Sequence, residues 1–237
     1  MEQRNERGQT LPEFLASYDE NRYRHPSVTV DMAVFALTGA QNGHALSVLL
    51  IRRRNHPNIG KWALPGGFVE MDEDLSAAAA RELAEETGAS GLAFRQFGTF
   101  GAVERDPRTR VITVGHYAVA PYGKILPAAG DDAADAAWFR VDLKRGAFTG
   151  AAELFDLTLT GPETLFARVN RRADALGGYF TPVEGSALAS DHALLIVSAL
   201  DALNAQPRAC IAGLLAGEKG SMLTIARRAA DAVLSEL

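Results

Sequence analysis

Glu82, Glu85 and Glu86 stand at i, i+3 and i+4 in a segment that reads as a helix, so three carboxylates share one helical face. The frame around them is tight. Gly66-Gly67 breaks the chain ahead of the helix, Asp74 is placed to cap a helix over about 74–87, and Gly88 stands where a left-handed residue ends one. Like charges at this spacing repel one another, and a hard divalent cation that takes oxygen ligands would resolve the conflict. Arg81, one turn before Glu85, can orient a carboxylate, and the glycine pair lets a loop bring its backbone carbonyl close. An E-x-x-E-E helix alone is most often a solvated surface face. Here the acids belong to a longer spacing of Gly67, Glu73, Arg81, Glu82, Glu85, Glu86 and Gly88, whose joint occurrence by chance is roughly one in a million per chain.

The 237 residues are 47% apolar and 22% charged, with a net charge of −5. That balance suits a soluble globular fold, excludes a mainly disordered, collagen-like or coiled-coil chain, and gives no sign of a polyanion-binding surface. Cys210 is the single cysteine, so no internal disulfide can form and a cytoplasmic, reducing setting is expected. Residues 1–27 are dense in charge and hold no apolar core of a signal peptide. The longest apolar runs, 46–51 and 193–200, fall far short of a bilayer span, and no membrane association is expected.

Strands are predicted over 28–37 and 46–51, joined by a turn at Gln41-Asn42-Gly43, with a short extended piece at 68–70. Further strands are predicted over 92–103, 110–120 and 137–141. Strands on both sides of a central helix, without regular alternation, point to an α/β or α+β sandwich rather than a doubly wound sheet. Between 142 and 152 the composition turns to Gly and Lys/Arg, a candidate boundary. The organisation expected is a polar arm (1–27), a domain carrying the acidic helix (28–145) and an extension (146–237). The extension begins with a hairpin of 154–160 and 164–169 around Gly161-Pro162, followed by helices over 191–203 and from 210 onward.

Gly67-x5-Glu73-x7-Arg81-Glu82-Leu83-x-Glu85-Glu86-x-Gly88, led in by Trp62-Ala63-Leu64-Pro65-Gly66, resembles a complete Nudix box. The resemblance covers about 28–142 and implies a Nudix α/β/α sandwich with a mixed sheet, the box forming loop-helix-loop. It also implies Mg²⁺- or Mn²⁺-dependent hydrolysis of a nucleoside diphosphate linked to another moiety. Carried over by position, Glu82 and Glu86 are the main metal ligands, Glu85 assists and Gly66 offers its carbonyl. Glu73 and Arg81 support loop and helix as an ion pair.

Residues 100–114, Asp131-Asp132 with Asp135 and Trp138, and 188–193 are similar to a Nudix group related to ADP-ribose pyrophosphatases. In that group, ADP-ribose-hydrolysing enzymes sit beside transcriptional regulators that join a Nudix domain to a winged helix. The expected function is therefore hydrolysis of ADP-ribose to AMP and ribose 5-phosphate. The alternative is a regulator that binds ADP-ribose or a related metabolite without significant hydrolysis. The intact box favours the enzyme. So does the tail, where Arg208, Lys219, Arg227 and Arg228 face five acids, Asp191, Asp201, Glu218, Asp231 and Glu236, and no strand pair for a wing is predicted. No nucleic-acid partner is expected, and the chain is expected to form a homodimer.

Other candidates each carry two readings. Glu104 is a general base or a solvated loop acid. Arg52, Arg53 and Arg54 hold the pyrophosphate or are edge-strand charges. Trp62 stacks on adenine or packs in the core. Asp191-His192 is read as a helix cap with a neighbour rather than a metal site.

Overall fold

The computed structural model describes residues 2–40, 43–120, 125–128, 133–150, 152–175, 177–205, 231 and 233–235. Its strands are β1 (Ser27–Ala40), β2 (Gly43–Arg53), β3 (Trp62–Ala63), β4 (Gly66–Phe68), β5 (Phe94–Phe100), β6 (Val111–Ala120), β7 (Ala133–Thr149), β8 (Ala152–Thr160), β9 (Thr164–Asp174) and β10 (Gly177–Pro182). The helices are α1 (Leu11–Ala16), α2 (Leu75–Thr87) and α3 (His192–Asn204). Among the described residues no helix is long and apolar enough to cross a membrane.

The spine is β1, which pairs parallel with β6 and antiparallel with β2 and β4. The sheet runs β10-β9-β8-β7-β2-β1-β6-β5, with β3 added to β2 and β4 to β1. It is a mixed sheet, and its central strand is apolar from Met32 to Leu37 because both faces are covered there. Val30, Met32, Val34 and Ala36 join Ala78, Ala79 and Leu83 of α2 in one cluster. Ala33 and Phe35 join Leu195, Ile196 and Leu200 of α3 in the other. The strand's period of two thus sorts its side chains between two helices.

Helix α2 begins and ends where its sequence directs. Asp74 is the N-cap in extended conformation, although its side chain makes no cap hydrogen bond. Gly88 closes the helix at φ +70°, its N–H donating to the Ala84 carbonyl. Small alanines on the inner face let α2 lie close to the sheet, and Glu86 is buried with them.

Several extents differ from the sequence reading. The strand predicted over 137–141 is the middle of β7, which passes through 142–149 where the composition changes, so the sheet is continuous there. Buried Val141 and Leu143 alternate with charged neighbours, a period of two that the Lys-Arg-Gly composition hides. The hairpin after it is present as β8 and β9, but β10 extends it to a three-stranded meander. The arm over 1–27 includes α1, fixed by a capping box between Thr10 and Glu13, and a 3₁₀ turn at Glu20–Arg22. The turn residues Gln41-Asn42, the Asp131-Asp132 pair and most of the predicted helix from 210 lie outside the described residues.

Candidate active site

The start of the box and its lead-in are held by two neighbouring strands, β1 and β2. β3 pairs with β2 at Arg52–Trp62 and β4 pairs with β1 at Asp31–Gly66, so the intervening Leu64-Pro65 turn spans from one strand to the other. The Pro65 carbonyl accepts from the Met32 N–H at 2.8 Å. A Cβ on Gly66 would collide with the Val30 carbonyl, and one on Gly67 would fall onto the Glu82 carboxylate. At Gly66 only bare backbone fits, and at Gly67 a side chain would force the Glu82 carboxylate to move.

Against this backbone lie the acids of α2. Glu86 is buried and accepts the Gly66 N–H at 2.7 Å. Burial pushes its carboxyl up to about 8, against the Gly66 hydrogen bond, and the charges of Glu82 and Asp31 push the same way. Glu82 is half-buried and also raised, again chiefly by loss of water. Arg81 gathers the remaining acids. Its Nη2 and Nε donate to Glu73 at 2.7 and 3.1 Å, and its Nη1 reaches Glu82 at 2.8 Å and Glu85 at 3.1 Å. Nη2 also donates to the Phe68 carbonyl at 3.0 Å, tying the helix to β4. The guanidinium beside Glu73 holds that carboxyl below its ordinary value.

Glu82 and Glu86 open on a cavity of about 500 Å³, which Gly66, Gly67, Arg53 and Arg54 also line. The two arginines bring positive charge to the same cavity. Arg53 is steadied by a bond from Nε to the Pro57 carbonyl at 2.8 Å, and Arg54 by one to the Ala133 carbonyl at 2.8 Å. Among the described residues, no three acidic, histidine or cysteine side chains converge as a ready-made metal cage. Arg81 holds Glu82 and Glu85, while the Gly66 N–H holds Glu86.

A family model described as NUDIX domain matches residues 28–156. The chain belongs to the Nudix family. It is 43% identical over 108 residues to an ADPR responsive transcriptional repressor, NtrR, of Acinetobacter baylyi, covering 45% of this chain and 42% of that protein. It is 38% identical over 117 residues to an ADP-ribose pyrophosphatase of Methanocaldococcus jannaschii, covering 49% of this chain and 63% of that protein. The matched part therefore spans less than two thirds of either relative. A MutT/nudix family protein from Enterococcus faecalis superposes with a TM-score of 0.67 at 26% identity, over 98% of this chain and 83% of that one. The NUDIX domain of Shewanella oneidensis NrtR, in a structure with ADP ribose, gives 0.56 at 28% identity, over 82% and 99%.

Within this Nudix domain the structure redistributes the secondary candidates. Trp62 is 2% exposed, packs edge-on against Phe139 with centroids 4.8 Å apart, and donates from Nε1 to Glu163 at 2.7 Å. It is a core residue and its ring has no free face for a base. Glu104 is exposed and does not line the cavity; Arg105, Asp106 and Arg108 of the same loop do. Asp191 is the N-cap residue of α3 but makes no cap hydrogen bond, because both its oxygens bind Arg105. Sequence reasoning passed over Asp31, Arg105 and Phe68 as cavity residues. The one local signal was Asp31, an acid inside an otherwise apolar strand.

Proposed function

We propose that the chain is a divalent-cation-dependent pyrophosphohydrolase of nucleoside diphosphates linked to a second moiety, with ADP-ribose as substrate and AMP and ribose 5-phosphate as products. The observation that carries the reading is a pair of carboxylates, buried Glu86 and half-buried Glu82, lining one cavity together with Arg53 and Arg54. Two acids that burial drives toward the neutral form are costly to keep in a fold without a use for their charge.

The donor set fits Mg²⁺ or Mn²⁺. All donors are hard oxygens, and the missing side chain of Gly67 leaves the space that the Glu82 carboxylate occupies. Glu82 and Glu86 would hold the ion, with Glu85 and the Gly66 carbonyl assisting. When bound, it supplies positive charge against the diphosphate and makes water a stronger nucleophile. The chain does the rest. Arg53 and Arg54 orient the diphosphate and offset charge as the phosphorus–oxygen bond breaks. A carboxylate of α2 takes the proton of the attacking water. Arg81, locked on Glu73, keeps the acids in register with β4. The lone Cys210 suits a reducing cytoplasm, where the chain is expected to work as a homodimer.

The similarity to a pyrophosphatase supports hydrolysis, and the similarity to a repressor supports a second reading, a metabolite-binding regulator. The complete acidic set favours hydrolysis, since binding alone does not require it. A screen of nucleoside diphosphate derivatives with Mg²⁺, with products identified, tests the first. Titration of duplex DNA from upstream of the chain's own operon, with and without ADP-ribose, tests the second. Tight DNA binding that ADP-ribose reverses, without turnover, would establish the regulator.

A further inference from the structure

The cavity has a wall that the box does not build. It comes from Ala189, Ser190 and His192, beyond residue 156 where the family match ends. Leu188 makes a parallel bridge to Trp62, and the Ala189 N–H donates to the Trp62 carbonyl at 2.9 Å. Two residues further along the lead-in, the Leu64 N–H donates to Nδ1 of His192 at 2.9 Å. Ser190, at φ +42°, donates its hydroxyl to the Arg105 carbonyl at 2.6 Å. Arg105 is 6% exposed in its side chain and grips both Asp191 oxygens at 2.9 and 3.0 Å. Its Nη2 also lies 3.7 Å from Asp31, whose Oδ2 accepts the Thr113 hydroxyl at 2.6 Å.

Pro65 has no N–H, so the turn from Leu64 to Gly66 has two backbone donors, one on each side of the proline. One goes to His192 and the other to Glu86. Leu64 is 1% exposed, and water does not compete for its N–H. We propose that His192 is a positioning residue for the reaction: by accepting the Leu64 N–H it holds the turn whose next N–H fixes Glu86, and the Asp191–Arg105 pair pins the helix start that carries it. The backbone donor sets the tautomer, leaving the proton on Nε2, 4.0 Å from Asp31 Oδ1. A histidine buried at the first position of α3, ahead of the apolar run 193–197, serves no packing need that leucine would not meet. What is positioned rests on the proposed function.

Two variants separate positioning from packing. His192→Leu removes the acceptor, whereas His192→Asn keeps one where Nδ1 stands. His192→Leu is expected to lower kcat for ADP-ribose and to weaken Mn²⁺ binding, read by electron paramagnetic resonance without substrate, each by about tenfold, with KM within about twofold. His192→Asn is expected to recover most of both. Should His192→Leu not fold, His192→Gln, whose acceptor falls at the Nε2 end, replaces it. Lower melting temperatures with unchanged kcat and Mn²⁺ affinity would overturn the inference. If the wild-type chain hydrolyses no nucleoside diphosphate, the proposed function falls and the Mn²⁺ measurement alone decides. Equal affinity in wild type and His192→Leu, or no Mn²⁺ binding by the wild type, then overturns the inference.

Discussion

Gly67 and Glu82 share one space: a Cβ on the glycine would sit where the carboxylate lies. The acid therefore reaches its place because the residue across from it has no side chain. This is a contact between strand β4 and a turn of α2, and it fixes where one charge of the site stands.

Gly67→Ala should displace Glu82 without removing any charged group. The expected result is a fall in kcat of about 100-fold or more, as when a catalytic group moves by an ångström. The melting temperature should change little, because what the new methyl group meets is the far end of a flexible glutamate, which can shift. Steady-state kinetics alongside thermal unfolding is the check. Full activity in a folded Gly67→Ala would show that Glu82 need not stand where it does.

Glu86→Gln keeps the shape and the oxygen that accepts the Gly66 N–H, and removes a charge that burial opposes. In chelator the variant should melt at or above the wild-type temperature. Millimolar Mg²⁺ or Mn²⁺ should raise the wild-type melting temperature and leave the variant's unchanged, since only a folded site with its charge gains from the ion. Hydrolysis should fall by orders of magnitude. Wild-type turnover in Glu86→Gln would remove this residue from the reaction.

The parts of the molecule that sequence made legible obey local rules. The end of helix α2 could be placed to the residue because it needs a left-handed Gly88, and the acidic spacing pointed to the family. β7 was clipped because alanines and charges blur a strand that buries only alternate residues. The segments of the second wall, 100–114 and 188–193, each resembled a Nudix group, but their meeting was not legible. Leu64 and His192 are 128 residues apart and Arg105 and Asp191 86 apart, and nothing local announces that they meet. Trp62 could be read two ways until its indole was seen packed on Phe139.

That packing gives a third expectation. Trp62→Phe should lose the Glu163 hydrogen bond and some buried surface, costing about 1–3 kcal/mol of stability. KM for ADP-ribose should stay at the wild-type value, because the indole faces the core. Denaturant unfolding and initial-rate kinetics on the same preparation decide it. A several-fold rise in KM would restore the tryptophan as a base-stacking residue.

The fourth concerns acid. Burial pushes the His192 imidazole below its ordinary value, with Asp31 and Asp191 opposing and Arg105 and Arg53 adding to the effect. As the pH falls through 6.5 the unfolded chain takes up a proton that the folded chain refuses. Stability from this group is therefore complete above pH 6.5 and declines below it. Melting temperatures of wild type and His192→Asn between about pH 5 and 7.5 give the comparison, and the wild type should show the steeper decline. Parallel curves would mean that His192 does not sense the change.

β7 has consequences for anyone who recombines such chains. Its first half lies against β2 and its second half against β8, within a single strand of 17 residues. A chimera spliced inside it would have to match two hydrogen-bonding neighbours from different parents at once. A crossover in the tight turn at Gly161-Pro162, beyond Thr160, leaves that strand with both of its native neighbours. The same donor must still bring a compatible Asp191-His192 to meet the recipient's Arg105 and Leu64, so tails are interchangeable only between parents that agree on the far wall of the cavity.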